Sequence, residues 1–115
     1  MQLICFIVRL PPTPKVQYAW GALPITNRDA HVPMPEPAFM ILSINKSGSA
    51  LIHRYSADGV FAGDSWDPTV EEAKQNAAWE YDGCLSEWEE IPSREQDVVA
   101  YGVSRLNGDS GDLTP

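Results

Sequence analysis

The side chains able to do chemistry in this chain are few and widely spaced. Two histidines (His31, His53), two cysteines (Cys5, Cys84) and sixteen Asp and Glu residues are the main supply of metal ligands and of general bases near neutral pH. No Cys or His pair stands at zinc-ligand spacing. Cys5 and Cys84 could form one bridge, but two free thiols is the expectation for a chain with so few cysteines. Asp58, Asp64, Asp67 and Glu71 offer clustered oxygen ligands, yet they lack the ordered spacing and terminal glutamate of a calcium loop. Asp58 is accounted for by a turn and Asp67 by a helix cap, so no metal and no cofactor is expected. His53 alternates with apolar neighbours in ALIHRY, which reads as a sheet histidine rather than a ligand. No glycine-rich phosphate loop, nucleophile elbow or Cys/His catalytic signature is present, and a non-enzymatic protein is expected.

Gly108-Asp-Ser-Gly-Asp112 resembles the glycine-framed serine of trypsin-like proteases. It departs from that pattern at Asp112, and 115 residues are too few for a two-barrel protease. A serine there has no positioned base or oxyanion hole, so the likeness implies no activity. Asn45-Lys46-Ser47 matches a glycosylation triplet in form only, since no secretion signal is read in the chain.

The elements that would position any site follow from period and punctuation. The length suits one domain with one core, expected over residues 1–105, with 106–115 as a flexible tail. Residues 2–10 are apolar on both alternating faces and read as a buried strand that the prolines at 11, 12 and 14 end. This apolar stretch is too short to span a membrane and has no basic flank, so a soluble cytoplasmic protein is expected. Val16 to Trp20 reads as a short strand pairing with the first. Residues 21–37 are proline-rich and show no period, which predicts an extended loop. A meander follows over 38–63, with strands at 38–45, 50–55 and 60–63. Its turns fall at Lys46-Ser47-Gly48 and Asp58-Gly59, the second expected to be type I′.

The main helix is expected over 68–82. Asp67 is the first choice of cap and Pro68 of first residue, with Thr69 and Glu72 as an alternative capping box, and Gly83 closes it. Val70, Ala73, Ala77 and Tyr81 line one face of this helix, with Ala78 at its margin. Residues 85–91 read as a 3₁₀ turn or brief strand, and Val98–Val103 as a last strand. The fold class is therefore α+β: an antiparallel sheet of four to six strands with one main helix on one face. The expected core is Ile4, Phe6, Val8, Met40, Leu42, Leu51, Phe61, Val70, Ala73, Ala77 and Tyr81.

Charge narrows the function classes. The net charge is −8, and residues 58–97 hold twelve acids against Lys74 and Arg94. That field repels nucleic acid and anionic membranes and favours encounter with a basic protein, although acidity also serves solubility alone. The outward helix face carries Glu72, Gln75, Asn76 and Trp79, and an exposed Trp among carboxylates is a candidate anchor. The predicted partner-binding residues are Glu72, Asn76, Trp79, Glu87, Trp88 and Glu90. Phe61-Ala-Gly-Asp-Ser-Trp66, Thr69-Val-Glu-Glu-Ala-Lys74 and Ala78-Trp-Glu-Tyr81 resemble a pattern of small uncharacterised bacterial proteins. In these a strand ends in a Gly-Asp-Ser/Thr-Trp turn before an acidic helix. Size and charge are also similar to those of immunity proteins and phage-encoded inhibitors, which implies an inhibitor that docks a basic partner. Two alternatives stand beside it. One is a small-molecule binder or minor enzyme with a pocket between the proline-rich loop and the sheet, using His31, His53 or Asp64. The other is an accessory subunit or homodimer paired through a sheet edge.

Overall fold

The computed structural model describes residues 1–8, 19–20 and 32–108. Its centre is an antiparallel sheet of five strands: β1 (Gln2–Phe6), β4 (Phe39–Ile44), β5 (Ala50–Tyr55), β6 (Phe61–Asp67) and β7 (Glu89–Glu90). The spatial order is β6-β5-β4-β1-β7, and a separate two-stranded ribbon joins β2 (Ala19–Trp20) to β3 (Val32–Pro33). Two helices complete the described chain, α1 (Val70–Glu80) and α2 (Val98–Leu106). The α+β class and the antiparallel meander are those expected. Among the described residues no helix is long and apolar enough to cross a membrane.

Both meander turns are three-residue loops closed in the same way. Asn45 N–H donates to Ser49 C=O at 2.8 Å, and Ser56 N–H donates to Val60 C=O at 2.8 Å. The residue before each closing partner is a glycine with positive φ, Gly48 at 93° and Gly59 at 84°. Asp58 keeps a negative φ, so its turn is a type I turn with a glycine bulge and not type I′. Ser56 Oγ completes it by accepting from Val60 N–H at 3.1 Å.

Strand alternation splits the core into two halves, one on each face of the sheet. On one face α1 presses Ala73, Ala77 and Tyr81 onto Cys5, Met40, Leu42, Ala50 and Ile52, with half-buried Val70, Leu85 and Trp88 at the rim. On the other, α2 presses Val98, Val99, Tyr101, Val103 and Leu106 onto Ile4, Phe39, Ile41, Phe6 and Tyr55. The sheet is therefore the middle of three layers, and each helix hides one of its faces.

Several expectations are corrected. The VVAYGV segment is not a strand; it opens α2, whose N-cap Asp97 accepts from Ala100 N–H at 3.0 Å. The β2 segment pairs with β3 and not with β1, which places a short strand inside the segment 21–37 expected to be an extended loop. The third meander strand runs on to Asp67 and does not stop at Gly63. The helix starts at Val70 with Thr69 as its cap, because Thr69 Oγ1 accepts from Glu72 N–H at 3.1 Å. Asp67 instead accepts from Asn76 Nδ2 at 2.6 Å, tying the helix to the end of β6. Val8 is exposed, while Phe6, Leu51, Phe61 and Val70 are only half-buried. Leu106 belongs to α2, not to the expected tail, and residues 109–115 lie outside the described residues, as do 9–18 and 21–31.

Cys5 and Cys84 are free thiols, the first buried and the second half-buried. Burial pushes the Cys5 thiol up from 9.0 to about 11. A thiol that keeps its proton in the folded state, after the unfolded chain has lost it, stabilises the fold at low pH only. Stability should therefore be complete below about pH 9 and should fall by about 2 kcal/mol as the pH rises to about 11. Urea denaturation at stepped pH should show the decline in the native chain and a flatter profile in Cys5→Val.

Candidate functional site

Helix α1 stands on the sheet through its small residues, so its far side must face solvent. It lies over β5 and β6, and Ala73 and Ala77 let its backbone approach closely. Glu71, Glu72, Gln75, Asn76, Ala78 and Trp79 are exposed. Trp79 keeps 57% of its surface accessible, a large apolar exposure in the last turn of a polar helix face. Two of the exposed groups also have local duties. Glu72 Oε2 accepts from Thr69 Oγ1 at 3.1 Å in the capping box, and Asn76 holds Asp67.

Trp79 faces outward because Ala73, Ala77 and Tyr81 turn the opposite side of α1 to the sheet, and the residue after it adds to this. Glu80 is buried, and its carboxylate accepts from Arg54 Nη2 at 2.7 Å. Arg54 sits on the α1 side of β5 with only 2% of its surface exposed, and its Nη1 donates to Ser65 Oγ on β6 at 3.1 Å. This charged bond ties the last turn of α1 to the end of β5, one strand in from the β6 edge. The twelve acids of the 58–97 stretch are therefore not all surface charge. The sequence counts Glu80 among the twelve acids of the 58–97 field, and 26 residues separate it from Arg54.

The remaining predicted residues follow α1. Cys84 to Glu90 runs antiparallel to β1, with Val8 N–H donating to Cys84 C=O and Ser86 N–H to Phe6 C=O, both at 2.8 Å. Leu3 stands opposite Glu90 in the register, and Leu3 packs on the α1 side of the sheet. Alternation puts Trp88 on that same side, where it is half-buried against the core. Glu90 and Glu87 are exposed. Hence Glu72, Asn76, Trp79, Trp88 and Glu90 all belong to one side of the sheet, whereas alternation from Trp88 does not assign Glu87 to it. Trp88 has a packing role that accounts for much of its surface. Glu89 points the other way and pairs with Arg105 at 3.0 Å. The Arg105 guanidinium lies 5.3 Å from the Phe6 ring centre, and its bond to Glu89 raises its proton affinity further.

His53 is half-buried in a row of rings, 6.0 Å from Phe61 and 6.5 Å from Tyr55 between centroids, and stands opposite Asp64 in the register. This is a sheet histidine packed on aromatic neighbours. His31 lies outside the described residues. Among the described residues no group of three His, Cys, Asp or Glu side chains converges to hold a metal ion.

Sequence reasoning missed Trp66. It is 59% exposed on β6, on the α2 side, beside Leu51. The alternation Asp64, Ser65, Trp66, Asp67 carried the signal, but ending the strand at Gly63 assigned these residues to a turn. Comparison with protein-family models, with curated proteins and with solved structures returns no match for the chain.

Proposed function

We propose that this chain is a non-enzymatic binding protein that docks a basic protein partner on the α1 side of its sheet, in the manner of an immunity protein or inhibitor. The observation that carries this reading is Trp79, more than half exposed on a helix face with Glu71 and Glu72, and turned outward by the packing of Ala73, Ala77 and Tyr81, to which the buried bond of Glu80 adds. Carboxylates around such an aromatic steer a positive surface into place at long range, and the ring supplies the desolvated contact once it arrives. Glu87 and Glu90 extend the same field along the edge of the sheet.

The test separates steering from anchoring. The chain used as bait in a bacterial lysate should recover a basic protein, and association should then be followed by stopped flow with that protein. Combining Glu72→Lys, Glu87→Lys and Glu90→Lys should slow association about tenfold or more at low salt, with little change in dissociation. Trp79→Ala should do the reverse and speed dissociation. Association kinetics unmoved by the triple reversal would remove the electrostatic part of the proposal.

A further inference from the structure

The main-chain bonds of the sheet determine which groups point out of its edge. Ile44 N–H donates to Met1 C=O at 3.3 Å and Ile7 N–H to Ala38 C=O at 2.9 Å, so the even residues of β4 bond β1. Asn45 N–H bonds Ser49 C=O, so the odd residues of β4 bond β5. Alternation along an antiparallel ladder then gives Leu51 and His53 to β4, and Ala50 and Ile52 to β6. Their register partners Asp67 and Ser65 are the residues of β6 that bond inward. The N–H and C=O groups of Asp64 and Trp66 therefore point away from the sheet. No hydrogen bond among the described residues uses them, and no described strand lies beyond β6.

The two edges of the sheet are not equivalent. β7 is two residues long, and beside it the Phe6 N–H is satisfied by Ser86 Oγ at 2.8 Å instead of a carbonyl. β6 is seven residues long and is the longest strand described. An open edge of that length is a template for another strand unless its side chains select against it. Here Asp64 and Asp67 project on opposite faces of the edge, and Trp66 stands exposed on the Asp64 face next to Leu51. Neutral and acidic strands would meet a carboxylate on either face. A second copy would bring Asp64 and Asp67 against its own, between chains of net charge −8.

The geometry points to β6 as a docking edge for an extended basic segment of the partner, which adds as a sixth strand of the sheet. The incoming main chain bonds Asp64 and Trp66, a Lys or Arg faces Asp64, and the Trp66 ring takes a cationic or apolar side chain of the next same-face residue. The inference rests on the basic partner of the proposed function but on a different element. Asn76, which holds Asp67, joins this edge to the outer face of α1.

The probe is a blocked hexapeptide of alternating lysine and valine, with amide shifts and hydrogen exchange read on the full chain. Saturable binding should slow exchange at the Asp64 and Trp66 amides, and peptide N-methylated at alternate residues should bind at least tenfold more weakly in one of its two phasings. Trp66→Ala and Asp64→Lys, both at exposed positions, should each weaken binding about tenfold. The Glu72, Glu87 and Glu90 reversal should leave protection at Asp64 and Trp66 in place. Shifts confined to α1, indifference to N-methylation or absence of saturation would each overturn the edge site. Loss of binding in the triple reversal with none in Trp66→Ala would leave only the acidic face standing. A solution mass of two chains, with Asp64 and Trp66 protected before peptide is added, would overturn the proposal in favour of a second copy.

Discussion

Glu80→Ala should cost about 3–5 kcal/mol, the range for removing one partner of a buried ion pair. The guanidinium of Arg54 cannot shed its proton, so without the Glu80 carboxylate its charge stays at 2% exposure near the end of β5. Ser65 Oγ at 3.1 Å is a neutral dipole and does not replace the carboxylate. Glu80→Gln keeps an acceptor at the same reach, and its loss should fall between those of the native chain and the alanine variant. Replacing both partners with apolar residues, Arg54→Met with Glu80→Leu, should recover most of the stability, because it removes the charge along with its partner. Urea denaturation followed by far-ultraviolet circular dichroism gives all four values. A loss below about 1 kcal/mol in Glu80→Ala would mean that water reaches Arg54 and that the pair is a surface pair in energy. On the proposed function, the double variant should still bind a basic partner less well than its stability suggests. The bond adds to the packing of Ala73, Ala77 and Tyr81 that turns Trp79 outward.

Much of this arrangement was legible in the residues, for reasons that differ between elements. The meander was readable because each glycine sits where only a positive φ closes the turn, at Gly48 and Gly59. The buried face of α1 followed from the three- and four-residue spacing of Ala73, Ala77 and Tyr81. The second helix was misread because VVAYGV is rich in β-branched residues, whose propensity favours a strand. Packing overrides that preference: Val98, Val99, Val103 and Leu106 fall at helical spacing and bury together on Phe39 and Ile41. Asp97 carried the cap signal, three residues before the Ala100 N–H it satisfies. At the candidate site, Trp79 was legible from the wheel alone. Arg54 with Glu80 was not, since a charged pair across two elements leaves no local pattern in the sequence. Trp66 was lost to a strand boundary, the least readable feature of any element.

Gly102→Ala should destabilise the fold by about 1–3 kcal/mol, although alanine is the better helix former by about 1 kcal/mol. Gly102 lies in the second turn of α2 and is buried against Phe39. A methyl group there would overlap the Phe39 ring, standing 2.7 and 2.8 Å from two of its carbons. The ring has nowhere to retreat, for it is fully buried between Tyr55 at 5.5 Å and Phe6 at 6.2 Å. The helix must therefore rise from the sheet and surrender part of the contacts made by Val98, Val103 and Leu106. Phe39→Leu removes the ring edge that the methyl would strike, so the two changes together should cost less than their sum by at least about 1 kcal/mol. Thermal and urea denaturation of the four proteins close that cycle. A neutral or stabilising Gly102→Ala would show that propensity outweighs packing at this position, and α2 could not then be seated on Phe39. The cycle also bears on the edge site, because α2 covers the same face of the sheet on which Trp66 stands. A helix lifted by the methyl should loosen the Tyr55 and Phe61 end of that face, while leaving the Asp64 and Trp66 main chain free to bond a strand.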